Sequence, residues 1–188
     1  MITAGERIGE RGSGHDGAVV FGPRSIDGGI DEIPLVGPAG RLWLCGKHVV
    51  GPDPDAALAR VGAATIVCLN EEDELRSRYP HYVDWLRAHR GGRAVWYPIP
   101  DLHAPALVDY RPLLDDMTRR LDRGDHLIVH CGAGIGRAGT TAVAILVHYG
   151  VELEAALGHV RAHRPMAGPE AGTQLALVTE LARAPHSP

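Results

Sequence analysis

The run Leu127-Ile128-Val129-His130-Cys131-Gly132-Ala133-Gly134-Ile135-Gly136-Arg137-Ala138-Gly139-Thr140 constrains this chain more than any other stretch. An apolar, strand-like segment ends in a His-Cys pair, glycine takes every second place in the turn that follows, and a helical pattern runs from Ala138 to Tyr149. A strand that enters a helix through such a turn leaves unpaired backbone N–H groups at the helix start, where the dipole adds partial positive charge. That is an anion cradle. A thiol in this field is favoured as thiolate, the nucleophilic form, and the planar fork of Arg137 takes two phosphoryl oxygens at once. Cradle, nucleophile and clamp within one turn point to phosphoryl transfer to cysteine.

The rest of the chain says what carries this loop. From Leu42 onward short apolar runs alternate with helical stretches. Leu42–Cys45, Ala64–Leu69, Val95–Tyr97 and Leu127–Val129 read as strands, the second as a β-branched run fit for burial on both faces. Asp53 with Pro54 supplies a cap and first-turn proline for a helix through Arg60, and the acidic run Glu71-Glu72-Asp73-Glu74 opens another, where negative charge suits the N-terminus. Pro80 restarts that helix toward His89. Asp109–Arg123 is amphipathic, with Leu113, Leu114, Met117 and Leu121 on one face. After the loop only helices follow: Ala138–Tyr149, Glu152–His163 and Gly172–Ala184. This alternation predicts an α/β fold with a central, mostly parallel sheet of four to five strands flanked by helices. Residues 1–40 are glycine-rich and weakly periodic, with only Ala18-Val19-Val20-Phe21 suggesting a strand. They read as an extension, flexible or docked, before a domain at 41–185.

Composition narrows the function classes. The net charge is −4, so the chain as a whole gives no reason to expect nucleic acid or an anionic membrane as partner, and any anion site must be local. Only Lys47 among 19 basic residues is lysine, which suits a GC-rich bacterial source. No signal-peptide pattern or apolar run long enough to span a bilayer is visible, and Cys45, Cys68 and Cys131 form no paired spacing. A reducing cytoplasm is expected, with Cys45 and Cys68 as small buried hydrophobes. The 11 histidines lack metal-ligand spacing, so neither metal nor other cofactor is expected.

The same loop also spells a dinucleotide fingerprint, Gly134-Ile135-Gly136-Arg137-Ala138-Gly139. That fold needs a further strand after the helix, with an acidic residue for the ribose. Val151–Arg164 has a helical period instead, and Glu152 and Glu154 sit at its start.

His130-Cys131, five loop residues and Arg137 together resemble the signature of the cysteine-dependent protein tyrosine and dual-specificity phosphatases. The resemblance covers roughly residues 40–184, including Leu42-Trp43-Leu44-Cys45-Gly46 at the domain start, Trp96-Tyr97-Pro98-Ile99-Pro100-Asp101, and Arg164-Pro165 followed by Glu170 and Gln174. It implies Cys131 as nucleophile, Arg137 as clamp and Asp101 as general acid. Backbone N–H groups of Gly132, Ala133, Gly134, Ile135 and Gly136 would bind phosphate, and His130 would order the loop. Gln174 and Glu170 would assist the attacking water, although the local length differs from the family's. The acidic run 71–74 reads as a solvated helix start, with a brace for Arg137 as the alternative.

Two departures bear on activity. Ala138 stands where the family carries a serine or threonine that helps the thiolate leave, which predicts a slow second step unless Thr140 or a water substitutes. The loop also lacks lysine, and Ile135 suits a phosphotyrosine ring better than a highly charged headgroup. The expected function is a phosphatase acting on phosphotyrosine, and also phosphoserine or phosphothreonine, in phosphorylated proteins or peptides. A stalled phosphate-binding module and a phosphoinositide phosphatase are the alternatives. Oligomeric state is not legible.

Overall fold

The computed structural model describes residues 29–170 and 172–184. In chain order its elements are β1 (Ile30–Ile33), β2 (Leu42–Gly46), α1 (Lys47–Val50), α2 (Pro54–Val61), β3 (Thr65–Cys68), α3 (Glu72–Arg76), α4 (Pro80–Ala88), β4 (Ala94–Trp96), α5 (Leu107–Asp122), β5 (Leu127–Cys131), α6 (Gly136–His148), α7 (Leu153–His163) and α8 (Gly172–Arg183). The five strands form one sheet in the order β1-β2-β5-β3-β4, antiparallel only at the β1–β2 edge. The predicted α/β fold is the one observed.

Strand alternation sorts the core onto two faces. Leu42, Leu44, Val67, Leu127, Val129 and Cys131 face one cluster with α5, α6, α7 and α8. Trp43, Cys45, Ile66, Cys68 and Ile128 face the other, where α2, α3 and α4 contribute Leu58, Leu75, Tyr82 and Leu86. Successive side chains point to opposite faces of a strand, so burial on both sides produces the unbroken apolar runs seen in the sequence. At α2 the cap forms as expected, with Asp53 accepting from the Ala56 N–H at 2.9 Å and Pro54 in the first turn.

Two elements had no clear sequence signal. The four-residue helix α1 follows β2 without a cap side chain. Strand β1 lies within the stretch read as an extension, and pairs Ile30 with Cys45 through Ile33 with Leu42. The suggested strand Ala18–Phe21 lies outside the described residues. Among the described residues no helix is long and apolar enough to cross a membrane.

The topology places the central strand β5 between β2 and β3. All three run parallel, so the ends of β2 and β3 flank Cys131 at one edge of the sheet. Parallel α/β sheets place their sites at this edge, outside the carboxyl ends of the strands.

Candidate active site

Cys131 closes β5 and is almost fully buried, and α6 begins at Gly136 after the glycine turn. The turn folds as a cup because each of its carbonyls is held from outside. Gly132 O accepts from the Lys47 N–H at 3.1 Å, and Ile135 O accepts from the N–H groups of Gly139 at 2.9 Å and Gly168 at 3.2 Å. Ala133 O and Gly134 O accept from Nη2 and Nε of Arg164 at 2.8 and 2.6 Å. In a trans peptide the next residue's N–H points opposite to the carbonyl, so outward carbonyls turn the following N–H groups inward. Gly134 is required here: it sits at φ +75°, and a Cβ would collide with the Cys45 carbonyl. Gly139 lets the segment behind the cup approach α6, since a Cβ there would strike Gly168.

Arg137 occupies the first turn of α6 with a buried side chain. Its guanidinium is held by Glu74 of α3, with Nη1 to Oε1 at 2.6 Å and Nη2 to Oε2 at 2.8 Å. Nη1 also donates to Ile99 O at 2.8 Å. The carboxylate of Glu74 is fixed in turn by the Asn70 amide at 2.7 Å and the Glu71 N–H at 3.0 Å, while its carbonyl accepts from Lys47 Nζ at 2.8 Å. Burial alone would raise the Glu74 pKa, but bonds from Arg137 and Glu71 outweigh it and hold the group below its ordinary value. Burial likewise opposes the charge on Arg137, and pairing with Glu74 raises its pKa overall. The acidic run therefore supplies the brace given above as the alternative to a solvated helix start. Glu74 has that position because a capping box with Glu71 points its side chain back over the N-terminus of α3. The Nε of Arg137 is buried without an acceptor among the described residues, so no hydrogen bond within them uses this donor of the guanidinium.

Asp101 reaches the same group. Backbone bonds from Tyr97 N–H to Cys68 O at 2.9 Å and from Ile99 N–H to Leu69 O at 3.1 Å prolong the β3–β4 pairing and carry Asp101 over the cup. Its Oδ1 lies 3.0 Å from Arg137 Nη2, with the Asp101 side chain 70% exposed and that of Arg137 only 2%. A turn with Leu102 at φ 61° follows, and His103 Nδ1 pairs with Asp101 O at 2.7 Å. Helix α8 anchors this turn: Thr173 Oγ1 accepts from the Ala104 N–H at 3.1 Å, and Gln174 Nε2 donates to His103 O at 3.4 Å.

Gln174 is fully buried, and its Oε1 accepts from the Glu170 N–H at 2.8 Å and from Thr140 Oγ1 at 3.3 Å. Its amide thus joins the Asp101 turn, α6 and the segment behind the cup. Glu170 is exposed, and its carboxylate lies against Gly136 at the mouth of the cup. His130 points to the opposite face of the sheet from Cys131, where its Nε2 pairs with Tyr82 Oη at 2.7 Å. Burial lowers its pKa to about 3, against the opposing pull of the Cys131 backbone, so the ring is neutral near pH 7. Cys45 and Cys68 lie buried on that face with free thiols. Burial pushes both thiols up, Cys68 to about 12.

Cys131, Arg137, Asp101, Glu170 and residues 132–136 therefore gather at one cup, whereas His130 supports it from below. Reading the sequence locally missed Arg164 as a holder of the loop and Asp31 as its partner. The signal available was the Arg164-Pro165 pair at the end of a predicted helix.

Comparison with known proteins identifies the family and the fold. A protein-family model described as the Swiss Army Knife protein DSP-PTPase phosphatase domain matches residues 44–182. The solved structure of Tk-PTP in the active form is 28% identical, covers 81% of this chain and 97% of its own, and superposes with a TM-score of 0.61. A kinase associated phosphatase, with serine in place of its catalytic-site cysteine, is 22% identical over 82% of this chain and 96% of its own, with a TM-score of 0.67. PTPMT1 in complex with PI(5)P is 18% identical over 76% and 90%, with a TM-score of 0.61. At these last two identities the likeness is one of fold. No match is found among curated proteins. The chain belongs to the DSP-PTPase phosphatase domain family and is a phosphoric monoester hydrolase of the dual-specificity phosphatase type.

Proposed function

We propose that this phosphatase acts on phosphotyrosine, and also on phosphoserine and phosphothreonine, in proteins, through a cysteinyl-phosphate intermediate. Cys131 Sγ attacks phosphorus while the P–O bond to the leaving oxygen breaks, and Asp101 gives that oxygen its proton. Asp101, now a carboxylate, takes a proton from the water that attacks the phosphocysteine. The S–P bond breaks, releasing inorganic phosphate and the thiolate. Inward N–H groups of residues 132–136 and Arg137 stabilise the equatorial oxygens as charge builds on them. An arriving phosphoryl group competes with Asp101 for Nη2, which frees the carboxyl to turn toward the leaving oxygen. Glu170 at the mouth assists the attacking water, and Gln174 keeps the Asp101 turn in register with the cup. A reducing cytoplasm suits an enzyme that depends on a free thiol.

The observation that carries this reading is the buried guanidinium of Arg137, braced by Glu74 beside the nucleophile loop and in contact with Asp101. The test is hydrolysis of 4-nitrophenyl phosphate and a tyrosine phosphopeptide without added metal. Activity should be lost in Cys131→Ser. In Asp101→Asn turnover should fall while KM is kept, and one limb of the pH–rate profile should disappear. Full activity in Cys131→Ser would falsify the mechanism, and faster turnover of phosphoinositides than of the phosphopeptide would move the substrate to lipids.

One observation favours a second reading, slow release of the intermediate. Ala138 carries no hydroxyl, and the Thr140 hydroxyl donates to Gln174 Oε1 at 3.3 Å. A burst of product followed by a slow steady state is its kinetic mark.

A further inference from the structure

Each carbonyl of the cup needs a donor outside it, and two of the four donors sets come from one side chain. Arg164, at the end of α7, is buried and places Nε on Gly134 O at 2.6 Å and Nη2 on Ala133 O at 2.8 Å. Its remaining nitrogen, Nη1, donates to Asp31 Oδ2 at 2.6 Å, to Gly29 O at 3.2 Å and to Leu44 O at 3.4 Å. All the acceptors on that last nitrogen belong to β1, the residue before it and the adjoining strand β2. The guanidinium is planar and rigid, so whatever fixes one edge fixes the other. Asp31 is itself buried in the middle of β1, where the register opposes it to Leu44. Its carboxylate gives Arg164 a counter-charge on the side away from the cup.

We infer that Asp31 is a positioning residue for phosphate capture: through Arg164 it sets the outward tilt of the Ala133 and Gly134 carbonyls, and so aims the Gly134 and Ile135 N–H groups at the substrate. Asp31 touches neither substrate nor nucleophile. Its effect reaches them through two rigid steps, carboxylate to guanidinium and guanidinium to peptide plane. The edge strand that carries it thereby becomes part of the binding machinery. This inference rests on the proposed use of the cup for a phosphoryl group.

The experiment reads binding rather than turnover, so that its failure is separate from failure of the proposed mechanism. Tungstate, a tetrahedral oxyanion, is titrated calorimetrically into the wild-type chain, Asp31→Asn, Asp31→Glu and Arg164→Lys, with thermal midpoints recorded for each. Asp31→Asn keeps the shape and removes the charge, and its Kd should rise about tenfold or more. Arg164→Lys keeps a charge for Asp31 but cannot span two carbonyls, and should lose binding to a similar degree. Asp31→Glu keeps the ion pair and hence the fold, yet displaces the guanidinium by one methylene. A several-fold weaker Kd at a near-native midpoint supports the inference, and decides the matter should Asp31→Asn not fold. Wild-type affinity in Asp31→Glu, or in Asp31→Asn with only a lowered midpoint, overturns it and leaves Asp31 a purely structural residue. Absence of tungstate binding by the wild-type chain overturns it as well.

Discussion

Ala138 is fully buried directly after Arg137, where its methyl packs in the first turn of α6. A serine there adds one oxygen able to donate to the departing sulfur. Hydrogen bonds to charged groups contribute about 1.5–3 kcal/mol, which is roughly tenfold or more in rate. Ala138→Ser should therefore raise the steady-state rate about tenfold and shrink the burst, as followed by stopped-flow release of 4-nitrophenolate. An unchanged steady state would place the slow step elsewhere. That these residues gather in one place was legible from the sequence, because thiol, glycine turn and arginine fall within one short run. Cys45 and Cys68 were legible for the opposite reason: each lies inside an apolar strand, where burial outweighs any activating neighbour. The role of Asp31 was not legible. Its partner Arg164 stands 133 positions away, and nothing local distinguishes a buried carboxylate from a solvated one.

At the scale of elements, α3 is only five residues long and still sets the geometry of the clamp. Its capping box fixes the Glu74 carboxylate, and the carboxylate fixes both Nη atoms of Arg137. Glu74→Gln keeps the shape but removes the charge and turns one acceptor into a donor facing the guanidinium. Losing this charge-assisted pair, in which Arg137 is buried and Glu74 partly buried, costs about 2–3 kcal/mol, on the order of 30- to 150-fold in rate. The loss should fall mainly on kcat/KM for 4-nitrophenyl phosphate, with weaker inhibition by inorganic phosphate. Wild-type kinetics in Glu74→Gln would show that Arg137 holds its place without the brace. The acidic run was visible in the sequence as a helix start, but which of its members turns inward depends on the packing of α3 against α4 and on the capping box. The edge strand β1 was obscure because Ile30-Asp31-Glu32-Ile33 lacks period-two alternation and lies among glycines and a proline. Pairing with β2 makes it a strand.

At the scale of the molecule, His130 links the cup to stability on the reverse face of the sheet. Its folded pKa is about 3 against an ordinary 6.5, because burial penalises the charged ring. The unfolded chain therefore takes up a proton at a pH where the folded chain does not. As pH falls from about 6.5 toward 3 the unfolded state binds more protons and stability is lost, by up to about 1.4 kcal/mol per pH unit. Glu74 also favours the folded state above its ordinary pKa, but its contribution is lost only as pH falls through a value below 4.5. Urea denaturation between pH 7 and pH 5, roughly within the histidine range, separates this effect from that of Glu74, and comparison of wild type with His130→Asn separates it from His159, whose pKa burial also lowers. His130→Asn should flatten the slope of stability against pH in that window, and an equal slope in both proteins would reject His130 as its source.

The ties that shape the cup also set an order of assembly. Lys47 reaches Gly132, Gly168 reaches Ile135, and Arg164 spans from Gly134 to Asp31. A chain made from its N-terminus has synthesised Cys131 and Arg137 well before Arg164 and Gly168 leave the ribosome. Contacts this distant in sequence close late, since the loop entropy must be met first. The nascent polypeptide thus carries the Cys131 thiol for some time without the scaffold that shapes the cup around it. On the proposed use of the cup, phosphate capture would begin only after Gly168 has emerged, so a translation product truncated before Arg164 would have the thiol without the cup.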